Sequence, residues 1–361
     1  MRRLNTLKIF TLFALLTLLA ACVPATPKVA PATSTPLSTP SATSAPATPA
    51  APASTPNGAS LQTLDLAMGY IPSVQFAPFY VAVEKGFYRD EGLEVKFRYG
   101  FESDLIKLVA SNELQFMIGS GEEVILGRAQ GLPVVYAMSW YRKFPVVVFA
   151  PKGSGLDTPA KLIGHKVGIP GLYGASYVGW KALVYATRLD ENKVNLESIG
   201  FTQVAAVQSK KVDAAIDYSV NGPVQMRLAG QEVEEIFVSD FVDLPSNGII
   251  TNDKTVAEQP ELVHKFVRAT LRGLEYALMN PDGAFALSLK QVPEAGADET
   301  ARKTNRAIFD EVLKLWQTDG VLGISDPARW ETAARFMQEM GLITTAVKPE
   351  TLYTNQFVET K

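Results

Sequence analysis

The residue types from which most enzymes build active sites are sparse in this chain and poorly spaced. Two histidines, His165 and His264, occur in 361 residues. His165 sits in Gly164-His165-Lys166, which reads as an exposed turn before a strand, and His264 lies on a helix beside Lys265. Neither has a histidine or cysteine at ligand spacing, so no zinc site is expected. There is no Gly-x-Ser-x-Gly elbow and no phosphate loop ending in Gly-Lys-Ser/Thr. The segment Gly174 to Gly179 comes nearest to a phosphate loop, but Trp180 stands where the lysine belongs. Glu122-Glu123 and Glu234-Glu235 are adjacent pairs, whose side chains diverge on a regular element. The sequence therefore predicts no catalytic residue, no metal and no cofactor.

Binding chemistry is better represented, and it recurs just after apolar strand-like runs. Tyr70, Gln75 and Phe76 follow the first such run, and Ser120 and Glu122 follow the third, at a helix start whose free backbone donors suit a ligand acceptor. Trp140 and Tyr141 follow the fourth. Further on, Tyr173 and Tyr177 lie in Gly171-Leu172-Tyr173-Gly174-Ala175-Ser176-Tyr177, and Asp217, Tyr218 and Asn221 follow the run Val212 to Ile216. Any one of these aromatic residues could equally fill a core, and Asp217 and Glu122 could equally serve as a helix cap and a first-turn charge. Their recurrence at strand ends favours a site for a flat aromatic ligand, which needs stacking faces and a few directed polar groups.

These loops need a scaffold, and the hydrophobic pattern supplies one. Strands are expected at 64–69, 93–99, 116–119, 134–138 and 146–150, with helices at 78–86, 103–111 (capped by Ser103) and 122–131. A second series follows Pro151-Lys152-Gly153-Ser154-Gly155, with strands at 166–170, 212–217 and 233–238 and a helix at 176–189. After a strand at 249–251 the chain turns helical, over 260–280, 281–292, 300–318 and 327–340. The rhythm indicates an α/β body with a largely parallel sheet. Two lobes, crossed twice by the chain, are expected as 61–148, 149–246 and 247–361, the last packing back onto the first lobe. Ligands in such sheets bind beyond the carboxyl ends of the strands, here between the lobes.

The residues Gly69-Tyr70-Ile71-Pro72, Phe79-Tyr80-Val81-Ala82, Glu84-Lys85-Gly86-Phe87-Tyr88 and Glu91-Gly92-Leu93-Glu94-Val95 resemble the opening of the SsuA/ThiY-like group of ABC-importer substrate-binding proteins. That group also takes in the eukaryotic thiamine-pyrimidine synthases. The likeness continues through Gly119-Ser120-Gly121-Glu122, Gly131-Leu132-Pro133-Val134, Leu162 to Pro170 and Lys211-Val212-Asp213-Ala214-Ala215, over roughly residues 62 to 345. It implies a type II periplasmic-binding-protein fold: two α/β lobes, a two-strand hinge and a cleft that closes on ligand. Members bind thiamine pyrimidine precursors, riboflavin or sulfonates, and the Gly171–Tyr177 loop looks closest to the riboflavin-binding, RibY-like members. The resemblance implies stacking by Tyr70, Trp140, Tyr173 and Tyr218, and hydrogen bonding by Ser120, Glu122, Asp217 and Asn221. A thiamine pyrimidine precursor is the alternative. A sulfonate ranks third, because paired cationic donors are wanted and only Arg142 and Lys143 lie near a cleft loop. The synthases carry a cysteine-rich iron motif, which this chain lacks.

Cys22 is the chain's single cysteine. It ends Leu19-Ala20-Ala21-Cys22, behind a basic segment (Arg2, Arg3, Lys8) and an apolar run from Ile9 to Leu19, which is a signal-peptide pattern too short to span a bilayer comfortably. The arrangement resembles a bacterial lipobox, implying a signal peptide over 1–21 and a diacylglycerol thioether on Cys22. Residues 22–60 are almost wholly Pro, Ala, Ser and Thr, a composition expected to form a disordered tether. At ~3 Å per residue it would reach on the order of 100 Å. Loss of the signal moves the formal charge from −3 to −6, which argues against a nucleic-acid partner. The expectation is a monomeric, lipid-anchored, extracytoplasmic binding protein that delivers its ligand to an ABC permease.

Overall fold

The computed structural model describes residues 60–358. The expected signal peptide, Cys22 and all but the last residue of the expected tether lie outside the described residues. From the N-terminal side the chain forms β1 (Gln62–Met68), α1 (Ala77–Glu84), α2 (Phe87–Asp90), β2 (Leu93–Tyr99), α3 (Glu102–Ala110), β3 (Phe116–Gly119), α4 (Gly121–Ala129) and β4 (Val134–Ser139). It continues through β5 (Val146–Pro151), β6 (Lys166–Ile169), α5 (Gly174–Thr187), β7 (Asn195–Ser198), α6 (Gln203–Gln208), β8 (Ala214–Tyr218), α7 (Gly222–Leu228) and β9 (Val233–Phe237). The last part holds β10 (Gly248–Asn252), α8 (Asp253–Glu258), α9 (Pro260–Met279), α10 (Pro281–Gln291), α11 (Glu299–Trp316) and α12 (Pro327–Glu339).

Two five-stranded sheets result, in the orders β2-β1-β3-β10-β4 and β7-β6-β8-β5-β9. Both are mixed: four strands of each run in one direction, as expected of a largely parallel sheet, and one opposes them. β10 runs antiparallel to β3 and β4, and β5 runs antiparallel to β8 and β9. Each of these strands enters its sheet from the other lobe, and that entry reverses its direction. β5 belongs wholly to the second sheet, so a boundary at 148/149 would cut a strand; the crossing lies at 140–145, and the return at 241–247. Every residue of β3, β4 and β10 is buried, which explains why their sequences are apolar runs without alternation.

Helix α9 buries Leu262, Val263, Phe266, Val267, Ala269, Thr270, Gly273, Leu274 and Ala277 along one stripe, at helical spacing. The Phe266 ring stacks on Phe116 of β3 at 4.1 Å and on Tyr88 at 5.3 Å, and the Tyr88 hydroxyl pairs with Thr270 at 2.8 Å. Burying a ring of this size stabilises by about 1.5–3 kcal/mol. Side-chain caps set several helix starts: Asn280 accepts from the Gly283 N–H, Asp298 from Ala301 and Asp326 from Ala328. Ser103 does not cap α3. Phe101 holds the extended position before the helix, which begins one residue earlier than expected, at Glu102.

The C-terminal helices do not all return to the first lobe. α9 and α10 pack on α1, whereas α12 also reaches α5 of the second lobe. There the Tyr185 hydroxyl donates to Glu339 at 2.8 Å and the Tyr185 and Phe336 rings lie 5.8 Å apart. α1 and α9 approach so closely at Gly273 that a Cβ there would sit 2.1 Å from the Pro78 carbonyl oxygen. Gly273→Ala is therefore expected to destabilise by about 1–3 kcal/mol through overpacking. An unchanged denaturant midpoint would show that the two helices are free to separate.

Candidate functional site

The carboxyl ends of β1, β2 and β4 in the first lobe and of β6, β7 and β8 in the second face one cavity of about 800 Å³. Of the twelve expected site residues, Tyr70, Gln75, Phe76, Trp140, Tyr141, Tyr173, Asp217, Tyr218 and Asn221 line it. Ser120, Glu122 and Tyr177 do not. Tyr177 faces a smaller adjoining cavity of about 350 Å³, between α3, α4 and α5. Arg142 and Lys143 do not line the cleft either; the Arg142 guanidinium donates to the Ile324 carbonyl beside the crossing.

The aromatic lining divides into a floor and a rim. Trp140 is only 2% exposed, and packs on Phe76 at 5.6 Å, Phe79 at 5.1 Å and Tyr141 at 4.5 Å. It is chiefly a core residue of the first lobe that closes the cleft floor. Of the rim, Tyr173 was read from the sequence and two phenylalanines were not. Phe101 (55% exposed) stands on the first lobe, and Tyr173 (54%) and Phe201 (56%) on the second. Phe101 and Phe201 each follow a glycine just past a strand, Gly100 after β2 and Gly200 after β7. Strand β7 was missed, and Phe201 with it; Gly-Phe after a strand was the available signal. Tyr70 meets Phe201 edge-to-face across the cleft at 5.9 Å. Burial, and secondarily the Asp217 charge, push the Tyr70 hydroxyl up to about 12, so it stays a neutral donor.

A polar chain ties the floor together across the lobes. The Tyr141 hydroxyl donates to Gln75 Oε1 at 3.2 Å, and Gln75 Nε2 donates to Asn221 Oδ1 at 2.8 Å. Beside it the Tyr218 hydroxyl donates to Asn247 Oδ1 at 3.2 Å, and the Asn247 carbonyl accepts from the backbone of Trp140 and Tyr141 at 3.0 and 2.9 Å. Asn247, on the returning segment, and Gln203, at the start of α6, are lining residues that the sequence reading missed.

The charged groups lie elsewhere than expected. Glu102, not Glu122, reaches the cleft, and its Oε2 accepts from the backbone N–H of Ser120 at 2.8 Å and from the Ser120 hydroxyl. Gly69 leaves room for it: a Cβ there would lie 2.4 Å from Glu102 Cγ. Ser120 is thus turned toward Glu102 and supplies no free donor. Glu122 is 2% exposed beneath the floor, and neither of its carboxyl oxygens has a hydrogen-bond partner. Burial, reinforced by Glu102, holds its carboxyl well above the usual range. Burial, and then the Glu123 charge, raise Glu102 to about 8, and burial raises Glu123 as well. In the second lobe Asp217 accepts from the N–H groups of Tyr218 at 2.7 Å and Gly222 at 3.1 Å, and burial raises it to about 6.

A carboxyl whose value is raised on folding binds more protons in the native than in the unfolded chain. Its stabilising contribution is complete below the ordinary glutamate value of 4.5 and is lost as pH rises through the folded value, about 8 for Glu102. Glu122→Gln cannot ionise, so its melting temperature is expected to fall less steeply than that of the wild type as pH rises above the ordinary glutamate value of 4.5. Each such group contributes a slope of up to about 1.4 kcal/mol per pH unit. Parallel melting curves would show that Glu122 ionises freely.

The NMT1/THI5-like family model matches residues 73–284. Riboflavin-binding protein RibY of Chloroflexus aurantiacus is 42% identical over 306 residues, covering 83% of this chain and 87% of the relative. The formylaminopyrimidine-binding protein of Halalkalibacterium halodurans is 28% identical, covering 75% of this chain and 83% of the relative. Among solved structures, the periplasmic aliphatic sulphonate binding protein SsuA from Escherichia coli superposes with a TM-score of 0.64 at 14% identity, over 82% of this chain and 99% of that one. The chain belongs to the NMT1/THI5-like family, and it carries the type II periplasmic-binding-protein fold.

Proposed function

We propose that this protein is the substrate-binding component of an ABC importer, and that it binds riboflavin and delivers it to a membrane permease. The observation that carries the reading is the cleft itself, with Tyr70 and Phe101 of one lobe facing Tyr173 and Phe201 of the other. At about 800 Å³ it falls in the range that encloses a small organic ligand. A tricyclic ring would lie between the aromatic faces, and the amides of Gln75, Asn221, Gln203 and Asn247 would meet its edge and the polyol chain. The 42% identity to a riboflavin-binding protein supports the same ligand. Ligand contacts shared by both lobes would favour the closed over the open arrangement, which is how binding is signalled to a permease.

A thiamine pyrimidine precursor is the second reading, favoured by the 28% identical relative. An enzymatic role has less support, because both relatives named above are binding proteins.

Titrating the purified full chain with riboflavin is expected to quench flavin fluorescence saturably and to raise the melting temperature with ligand concentration. Tyr173→Ala and Phe201→Ala should each weaken binding by about 1–3 kcal/mol while leaving the melting temperature of the empty protein nearly unchanged, since both side chains are exposed. A rise in melting temperature with a thiamine pyrimidine precursor, and no response to riboflavin, would transfer the proposal to the second ligand.

We further propose that the protein acts as a monomer on the extracytoplasmic face, tethered through a lipid on Cys22. Two acyl chains anchor stably where one is marginal, and among the described residues no helix is long and apolar enough to cross a membrane. Cys22→Ala should move the protein from the membrane fraction to the soluble exported fraction. Persistence in the membrane would sink the anchor.

A further inference from the structure

The smaller cavity of about 350 Å³ adjoins the cleft at Ser103, Glu123, Tyr173 and Gly174, which line both spaces. Its walls come from α3 and α4 of the first lobe and α5 of the second. Ile106, Leu126, Leu132, Val178 and Leu342 make it apolar in body, and Glu123, Gln130 and Tyr177 bring polar ends to it. Glu123 is only 6% exposed. Burial raises its carboxyl and the Lys107 charge opposes that, but no hydrogen bond from another described residue reaches it. A buried carboxyl without a donor costs free energy that an incoming donor would recover. Lys107 itself donates to Asp104 at 3.3 Å. Helix α5 begins after Tyr173 without a side-chain cap, so its first backbone N–H groups are open to an acceptor. The Tyr173 ring folds back over Gly171, where a Cβ would come within 2.3 Å of its Cε1.

We propose that this side cavity is a second subsite, which takes the outer hydroxyls of a polyol chain carried by a ring bound in the cleft, with Glu123 accepting from one hydroxyl and the start of α5 donating to another. This rests on the riboflavin reading above and deepens it. A hydroxyl both donates and accepts, so a chain of them suits a wall that sets a carboxyl oxygen beside open N–H groups. Glu123 keeps an accepting oxygen in either protonation state. The apolar walls fit the carbon backbone of the chain. Its inner part stays with the cleft amides, and only the far end passes Tyr173. A chain lodged there touches both lobes and so adds to the preference for the closed arrangement.

The test compares riboflavin with lumiflavin, which has the same ring and a methyl group in place of the polyol, by fluorescence titration of the full chain. Riboflavin is expected to bind about fivefold or more tightly than lumiflavin, and Glu123→Ala should narrow that ratio at least about threefold. Should Glu123→Ala fail to fold, the double variant Gln130→Ala, Tyr177→Phe takes its place, since it removes two polar ends of the side cavity and leaves the buried carboxyl alone. A smaller preference for riboflavin overturns the subsite and leaves the riboflavin reading standing. So does a preference that the variant narrows by less than about threefold, because the polyol is then held within the main cleft. Loss of both flavins by the same factor on substitution overturns the subsite in the same way. Binding of neither flavin to the wild type overturns the choice of riboflavin, and the subsite with it.

Discussion

Two strands that enter the opposite lobe's sheet against its grain hold the molecule together. β10 lies antiparallel between β3 and β4, and β5 lies antiparallel between β8 and β9. Each is hydrogen-bonded on both sides, so neither sheet is complete without chain that has crossed from the other. This interlock fixes the two crossings at 140–145 and 241–247, sets the carboxyl ends of the strands face to face, and places Trp140, Tyr141 and Asn247 at the bottom of the space between. The cleft follows from the topology, and the helices close it from outside.

Most of this framework was legible because it rests on local signals. The apolar runs of β2 and β3 and the proline-led starts of α9, α10 and α12 were read at or within a residue of their ends. The opposed direction of β5 and β10 was not legible, since an apolar run that is buried on both faces looks the same parallel or antiparallel. β7 was missed for a different reason: Asn195-Leu196-Glu197-Ser198 lies at a sheet edge, largely exposed, with little apolar content to announce it. Phe201 was lost with it.

The cleft lining was legible where position after a strand decides the matter, as for Tyr70, Tyr173 and Asp217. It was not legible where a side chain's direction decides. Glu122 and Glu102 are both acidic residues in the first turn of a helix after a strand, and the sequence does not say which points to the cleft. The decision lies with Gly69, whose missing side chain makes room for Glu102. Trp140 shows the converse. Its ring sits in the expected place but mostly faces Phe76 and Phe79, so burial rather than ligand contact accounts for it.

The amide and hydroxyl bonds from Tyr141 through Gln75 to Asn221 hold these side chains to one another within the fold. The entropy lost in ordering these three side chains therefore belongs to folding rather than to binding. On the proposed reading, a ring settling on this floor would meet a surface that need not rearrange, beneath the half-exposed rim of Phe101, Tyr173 and Phe201. Arrival and escape would then be governed from opposite sides of the same cavity: the floor would set how well a ligand fits, and the rim how long it stays.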